Sequence, residues 1–222
     1  MDFIAPGVEE NTKEADRLVA NTRRVMEHPW AAIEDGYVFT LDGVDLASPI
    51  KRFPKGDVYL RDCTDIWFKE KLTAWPKSRR MIFSWLMTWN HYWLAQFHEG
   101  ASVYVQSETE KKSDELIGRA DFIRNHIPKS ELILPKLKGG RKTYCAMEWP
   151  GIYAQLLGVA QGANQMRGPT ATALFLDEVA FWEQARASIT AAKPTAEGGG
   201  RVTLVSSANP GWFKEICFDT SG

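Results

Sequence analysis

The sequence predicts an α/β fold with a central, mostly parallel sheet flanked by helices. The first observation is that short apolar runs alternate with longer amphipathic segments along the chain, a pattern typical of strands connected through helices. The second is residues 173–176, which are apolar at every position and are followed by Asp177 and Glu178. Such a run is typical of a strand buried on both faces. Carboxylates at its carboxyl end would lie in the crevice where these sheets bind ligands.

The composition is that of an ordinary globular protein. The 222 residues are 44% hydrophobic and 25% charged, which is enough for one domain with a sizeable core. Because the formal net charge is −1, any contact with nucleic acid would need a local basic patch. Cys63, Cys145 and Cys217 lack the spacing of a metal site or a disulfide framework. With no signal-peptide pattern and no apolar stretch of about 20 residues, an intracellular protein without membrane association is expected.

Residues 1–50 are expected to form a helical arm and a lead-in strand, and residues 51–222 the core of the domain. Residues 8–28 are charged with few apolar positions, which indicates a surface helix packed as an arm. Residues 37–40 lie between two turn signals and favour a strand.

Within the core, helices and strands are predicted to alternate. Strands are expected at 71–75, 101–106, 132–135, 143–149, 153–159 and 201–206, and helices at 57–71, at 84–98, from Ser107 or Thr109 to His126, and at 181–190. The first of these helices is expected to turn four apolar side chains inward: Leu60, Ile66, Trp67 and Leu72. The second carries apolar side chains at helical spacing, which favours core packing over base stacking: Trp85, Leu86, Trp89, Trp93 and Phe97.

Two segments invite comparison with the phosphate-binding loop G-x-x-x-x-G-K-[ST], which needs a strand before it and a helix after it. Residues 139–143 read Gly-Gly-Arg-Lys-Thr, but a strand is predicted to follow, so a hairpin turn is the interpretation. The segment that ends at Ser84 has the right context and departs from the pattern at three positions. Lys77 and Ile82 stand where the glycines are expected, and Phe83 where the lysine is expected.

The Ser84 segment nevertheless keeps the chemistry of a phosphate site. Ser84 could ligate Mg²⁺, and Lys77, Arg79 and Arg80 supply positive charge. A lysine at the start of the loop could reach the β- and γ-phosphates because its stem is long and flexible. On these residues alone a plain basic turn remains the alternative. Ile82 is a further concern, because a β-branched residue does not easily take the positive φ that a glycine would allow.

Asp177 and Glu178 complete such a site if the two side chains have separate tasks. In a nucleotide site the first would hold Mg²⁺, and the second would orient or deprotonate an attacking water. The alternative is a strand end that runs into a solvated, acidic helix start.

Three stretches, 77–85, 174–181 and 205–210, resemble the ATPase domain of large terminase subunits, the DNA-packaging motors of tailed phages. They occur in that family's order, and the resemblance covers about residues 30–215. It implies a P-loop NTPase fold of the ASCE/RecA-like kind that binds ATP and Mg²⁺ and translocates double-stranded DNA into a procapsid. The family's nuclease domain has no room after residue 210, so a truncated ATPase core without nuclease activity is expected.

The resemblance also implies roles for individual residues. The phosphate-binding segment falls on Lys77, Ser78, Arg79, Arg80, Met81, Ile82, Phe83, Ser84 and Trp85. The metal ligands fall on Ser84 and Asp177, and the catalytic carboxylate falls on Glu178. The coupling motif falls on Ser206, Ser207, Ala208 and Asn209.

Two arginines resemble the family's arginine fingers. Arg79 matches one that acts within the subunit, and Arg167 matches one that reaches a neighbour's site in a homo-oligomeric ring. A surface arginine beside a turn is the alternative for Arg167. Phe53 and Tyr59 are candidates for an adenine pocket, although core packing is favoured for both.

Further partners implied are the portal protein and the small terminase subunit, and the implied location is the host cell cytoplasm. Two other functions stay open at this point. One is another DNA-translocating or helicase-like P-loop ATPase, and the other is a non-catalytic DNA-binding or assembly module with a decayed phosphate loop.

Overall fold

The computed structural model describes residues 6–78, 82–162 and 171–218. The helices are α1 (Pro6–Glu27), α2 (Trp30–Glu34), α3 (Val58–Lys69), α4 (Phe83–Phe97), α5 (Glu110–His126), α6 (Ala185–Glu197) and α7 (Trp212–Phe218). The strands are β1 (Phe39–Leu41), β2 (Ile50–Arg52), β3 (Leu72–Lys77), β4 (Ser102–Ser107), β5 (Ala146–Trp149), β6 (Ala154–Ala160), β7 (Ala173–Asp177) and β8 (Arg201–Ser207).

The central sheet has six strands in the order β3-β8-β7-β4-β6-β5. All neighbouring pairs are parallel except β5 and β6, which are antiparallel at one edge. The predicted mostly parallel α/β fold is therefore confirmed. In this order β8 lies between β3 and β7, with Lys77 opposite Ser207 and Asp177 opposite Val205. The carboxyl ends of these three strands consequently meet at one edge of the sheet.

The middle of the sheet is buried on both faces, as the apolar run at 173–176 predicts. Alternate residues of β7 enter different clusters, because successive strand side chains point to opposite faces. Phe175 packs with α4 and α5, whereas Leu174 and Leu176 pack with α6 and α7. Helices thus cover both faces, which is why β7 shows continuous rather than alternating hydrophobicity.

The aromatic residues of α4 form much of the larger cluster, and their core role is confirmed. Trp89 and Trp93 are fully enclosed, and each indole N–H has a carbonyl partner. Trp89 donates to the Pro29 oxygen at 3.0 Å, and Trp93 donates to the Val25 oxygen at 2.6 Å. These bonds tie the carboxyl end of α1 and the start of α2 to the core, so the amino-terminal arm is packed at its end.

Arg201 joins α3 to the sheet. It is the first residue of β8, and its buried guanidinium donates hydrogen bonds to the carbonyl oxygens of Trp67, Phe68 and Glu70 at the end of α3. The same guanidinium lies 4.3 Å from the centre of the Trp67 ring, within the range of a cation–π contact. The Trp67 indole N–H donates to Thr203 at 2.9 Å. Arg201 therefore supplies donors to carbonyls that a helix end leaves without partners.

Several predicted details of α3 and its neighbour are wrong. Ile66 is 47% exposed and Leu72 is 54% exposed, although both were expected to face inward. The buried face of α3 is set by Leu60, Thr64 and Trp67, at the spacing i, i+4, i+7. Ile66 lies about 100° away from Trp67 on the helix, and Leu72 belongs to β3 at the edge of the sheet.

The segment from 132 to 149 also differs from prediction. Residues 132–135 form no strand, and Lys138–Gly140 is a 3₁₀ turn rather than a hairpin turn. β5 pairs with β6 instead. Pro135 has no N–H for a strand ladder, and Leu132 is buried in the core as irregular backbone.

Two helix boundaries are now defined. α5 begins after Thr109, whose hydroxyl accepts a hydrogen bond from the Lys112 N–H, in agreement with one of the two predicted starts. The helix expected at 181–190 begins later, at Ala185, because the 3₁₀ turn Val179–Phe181 precedes it. Within the described ranges, no helix has the length and apolar character needed to cross a bilayer.

Replacing Arg201 with methionine should lower the free energy of unfolding by about 2–4 kcal/mol, because three carbonyl oxygens would lose charged donors. Urea denaturation followed by far-UV circular dichroism measures this change. Arg186→Met, at an exposed position on α6, is the matched control and should change stability by less than about 0.5 kcal/mol. Equal denaturation midpoints for the two variants would contradict the role given to Arg201.

Candidate active site

A cavity of about 710 Å³ opens at the carboxyl edge of the sheet. Its walls are the β1–β2 hairpin, the start of α4, one face of α5 and the ends of β3 and β7. Its lining includes the basic residues Lys51, Arg52, Lys77, Lys112 and Arg119 and the acidic residues Asp42, Glu115, Asp177 and Glu178. A concave site with many charges of both signs suits a small, highly charged ligand with a counter-ion.

Lys77 and Glu178 meet inside this cavity. The Lys77 ammonium donates to Glu178 Oε1 at 2.6 Å, and the Lys77 side chain is only 8% exposed. Lys77 is the last residue of β3, so its position at the start of the loop places it directly at the sheet edge. The lysine that departs from the usual phosphate-loop pattern thus lies next to the predicted catalytic carboxylate.

The other oxygen of Glu178 is held by β8. Glu178 Oε2 accepts hydrogen bonds from the Ser207 N–H at 3.1 Å, the Ser207 hydroxyl at 2.9 Å and the Ser206 hydroxyl at 3.3 Å. Ser206 Oγ in turn accepts from the Ala180 N–H at 3.1 Å, and the Asn209 side chain donates to the Ala180 carbonyl at 2.8 Å. Three of the four predicted coupling residues therefore contact the segment that follows β7.

The backbone at Glu178 is left-handed, with φ 57° and ψ 38°. This conformation is uncommon for a residue with a side chain, and it persists where surrounding contacts determine it. Burial alone would raise the pKa of Glu178, but hydrogen bonds from Lys77 and Ser207 and the charge of Lys77 outweigh it. The net effect holds the pKa of Glu178 below its ordinary value. Glu178 is therefore ionised at neutral pH.

Asp177 and Ser84 form a second pair beside the first. Ser84 lies in the first turn of α4, and its hydroxyl donates to Asp177 Oδ1 at 3.2 Å. Asp177 is 7% exposed. Burial raises the pKa of its carboxyl to about 6, although Arg119, Lys77 and Ser84 act in the opposite direction. A buried carboxylate with so few donors would be stabilised by a cation.

The Ser84–Asp177 pair fits Mg²⁺, which prefers hard oxygen ligands and is commonly held by one or two protein groups together with phosphates and water. Among the described residues, no cluster of three or more histidine, cysteine or acidic side chains is arranged for a metal ion. A Mg²⁺ ion at this pair would therefore take the rest of its coordination from water and from a phosphorylated ligand.

Ile82 and Phe83, where the usual glycine and lysine are missing, serve the packing of α4. Ile82 has φ −64° and ψ 4°, so this position needs no glycine. Phe83 is buried, with its ring centre 5.5 Å from that of Trp75. Trp85 contacts Phe122 at 5.6 Å between ring centres. Ser84, which lies between these residues, is the one whose hydroxyl meets Asp177. Since the φ of Ile82 is negative, the expected difficulty with a positive φ at this position does not arise.

Other predicted site residues are not brought to the cavity. Ser78 and Ala208 are exposed, without a described contact to the site. Arg79, Arg80, Met81 and Arg167 lie outside the described residues. Phe53 belongs to the core, whereas Tyr59 is 42% exposed on α3; neither lines the cavity as described.

Arg119 is a site residue that the sequence does not predict. It lies on α5 and lines the cavity beside Asp177. A single arginine in a polar helix carries no motif, and it is far in sequence from the loop. Only the packing of α5 against α4 reveals its position.

Asp177→Asn should stabilise the chain above pH 6 and have little effect near pH 4. Because the pKa of Asp177 in the folded chain is about 6, above its ordinary value of 3.8, ionisation of this carboxyl destabilises the fold progressively as the pH rises between those values. The gain at pH 8 should be on the order of 3 kcal/mol, measured by urea denaturation across this pH range. Asp62→Asn, at an exposed position on α3, is the control. If the difference in unfolding free energy between Asp177→Asn and the unmodified chain did not change with pH, the raised pKa of Asp177 would be refuted.

No protein-family model matches the sequence, and no curated protein is significantly similar to it. Solved structures do resemble it. The large terminase of bacteriophage HK97 has a TM-score of 0.61 at 13% identity, over 87% of this chain and 40% of that one. A mutant ATPase domain of the Thermus phage P74-26 large terminase has a TM-score of 0.51 at 14% identity, over 71% of this chain and 67% of that one.

The match thus spans well under half of the HK97 protein. At such low identity the likeness concerns the fold. Both matched structures have a mostly parallel central sheet flanked by helices in common with this chain. The chain therefore has the α/β fold of phage large terminase ATPase domains.

Proposed function

We propose that this chain is the ATPase domain of a viral DNA-packaging terminase, which hydrolyses ATP with Mg²⁺ to translocate double-stranded DNA into a procapsid. The observation that carries the proposal is the convergence of Lys77, Ser84, Asp177 and Glu178 in one cavity at the carboxyl edge of β3 and β7. These four side chains provide a phosphate-binding cation, two metal ligands and a base. The terminase fold is consistent with this use of the cavity.

Binding of ATP would change the partner of Lys77. In the structure its ammonium is paired with Glu178, and the β- and γ-phosphates carry more negative charge than one carboxylate. Lys77 would therefore turn from Glu178 to the phosphates, which its flexible stem allows. Ser84 and Asp177 would hold Mg²⁺, and Arg79 and the rest of the 77–85 segment would surround the phosphates.

Release of Lys77 would free Glu178 Oε1 for the attacking water. Glu178 Oε2 would stay fixed by Ser206 and Ser207, so the carboxylate would keep its orientation while one oxygen changes partner. With Lys77 turned to the phosphates, the hydrogen bonds from Ser207 would still favour the ionised carboxylate of Glu178 against the effect of burial, so that it could accept a proton. A bound Mg²⁺ supplies neutralisation of the charge on the phosphates during transfer.

Coupling to movement would run through β8. Ser206 and Ser207 contact Glu178, and Asn209 contacts Ala180, so a change at Glu178 alters the bonds that join β7 to the end of β8. α7 follows directly after this motif. We assign Ser206, Ser207 and Asn209 to the coupling of hydrolysis to motion, and Ala208 to the turn between them.

The assembled motor would include further components besides this chain. A homo-oligomeric ring would let Arg167 reach a neighbour's γ-phosphate. Double-stranded DNA, the portal protein and the small terminase subunit would be its partners in the host cytoplasm.

Two measurements test the proposal. One is the calorimetric titration of the chain with Mg²⁺–ATP, and the other is the single-turnover hydrolysis of ATP. The unmodified chain should bind ATP at millimolar concentration or below. Lys77→Met should abolish this binding because it removes the phosphate-binding cation. Glu178→Gln should keep binding and slow hydrolysis by about 100-fold or more, as expected for loss of a general base.

Lys71→Met is the matched control, because Lys71 precedes the same strand at its other end and should leave both measurements unchanged. Hydrolysis by Glu178→Gln at the unmodified rate would remove Glu178 from the mechanism. Absence of binding at millimolar ATP would favour a non-catalytic DNA-binding or assembly module. Hydrolysis that does not respond to procapsids carrying a portal would favour another P-loop translocating ATPase.

A further inference from the structure

Arg119 lies in the proposed nucleotide cavity, beside the Ser84–Asp177 pair. Its side chain lines the same cavity as Ser84 and Asp177. The guanidinium carbon is 5.7 Å from the ring centre of Trp85, within the range of a cation–π contact. Since Trp85 follows Ser84 on α4, this contact fixes the guanidinium next to the residues proposed to hold Mg²⁺.

One nitrogen of the Arg119 guanidinium, Nη1, is buried without a hydrogen-bond partner among the described residues. No ion pair of Arg119 occurs within those residues either. Buried donors normally have partners, and an unsatisfied one needs an explanation. Asp177 does not provide it, because the two groups interact only through their charges. The orphaned donor therefore points to a ligand that enters the cavity.

A phosphate matches this orphaned donor in charge and shape. The planar guanidinium presents paired N–H groups that fit two phosphate oxygens at once. Lys77 and Glu178 belong to β3 and the end of β7, whereas Arg119 approaches from α5. A phosphate between Lys77 and Arg119 would meet cations from two elements of the same subunit. In the proposed mechanism the terminal phosphate of ATP is the one nearest to Asp177 and Glu178.

We propose that Arg119 is a phosphate-binding residue that contacts the terminal phosphate of ATP from within the same subunit. The inference rests on the proposed function of the cavity. It differs from the roles given to Arg79 and Arg167, because Arg119 belongs to a helix outside the loop and needs no neighbouring subunit. Arg119 would thereby let the site distinguish ATP from ADP.

The test compares two nucleotides on the full 222-residue chain. Mg²⁺–AMP-PNP and Mg²⁺–ADP are titrated by calorimetry into the unmodified chain, Arg119→Ala and Arg119→Lys. Arg119→Ala should weaken AMP-PNP binding about 10- to 100-fold and ADP binding by less than about twofold, since only AMP-PNP has a γ-phosphate. Arg119→Lys should be intermediate, because it keeps the charge and loses the fork.

Arg124→Ala is the matched control. Arg124 lies on the same helix and also has a buried guanidinium nitrogen without a partner in the described part of the chain, yet it does not line the cavity. The Arg124→Ala variant should bind both nucleotides with the affinity of the unmodified chain. If Arg119→Ala does not fold, as judged by circular dichroism, Arg119→Gln replaces it with the length of the side chain largely kept.

Equal weakening of both nucleotides would overturn the inference, because it would mean that Arg119 acts through Asp177 and the metal ion. Unchanged AMP-PNP affinity would overturn it as well and would leave the proposed function intact. Failure of the unmodified chain to bind either nucleotide would overturn both the proposed function and the role of Arg119. Selective loss of AMP-PNP binding is the only result that supports the inference.

Discussion

The position of β8 between β3 and β7 is the constraint on which the site depends. Neighbouring strands lie about 4.8 Å apart, so the ends of β3 and β7 are separated by roughly twice that distance. A lysine and a glutamate side chain together can bridge such a gap, and Lys77 and Glu178 do so at 2.6 Å. β8 lies between the two strands and supplies Ser206 and Ser207, which donate hydrogen bonds to the same carboxylate.

Two adjacent carboxylates acquire opposite properties at this edge. Asp177 ends a strand and is buried, so its pKa is raised to about 6. Glu178 turns into a left-handed conformation and meets Lys77 and Ser207, so its pKa is lowered despite partial burial. Groups whose environments separate their pKa values are suited to different tasks. The proposed division into a metal ligand and a base follows from this difference.

Much of the fold and part of the site could be predicted because the relevant signals are local. The apolar run of β7 and the aromatic spacing of α4 depend on which faces are buried, and periodicity reports burial directly. The inward orientation predicted for Ile66 is wrong because hydrophobicity alone does not show which side of α3 meets the core. The strand predicted at 132–135 is wrong because an apolar segment can also pack as irregular backbone, as Leu132 does.

Local patterns of residues are enough to predict the order of the elements, the acidic end of β7 and the hydroxyl at the start of α4, since each depends on neighbours along the chain. The contact of Lys77 with Glu178, 101 residues away, and the ordinary backbone of Ile82 follow from the tertiary structure. It also decided that Arg119 enters the cavity. Contacts of this kind arise when separate elements pack together, and no local pattern of residues encodes the geometry of that packing.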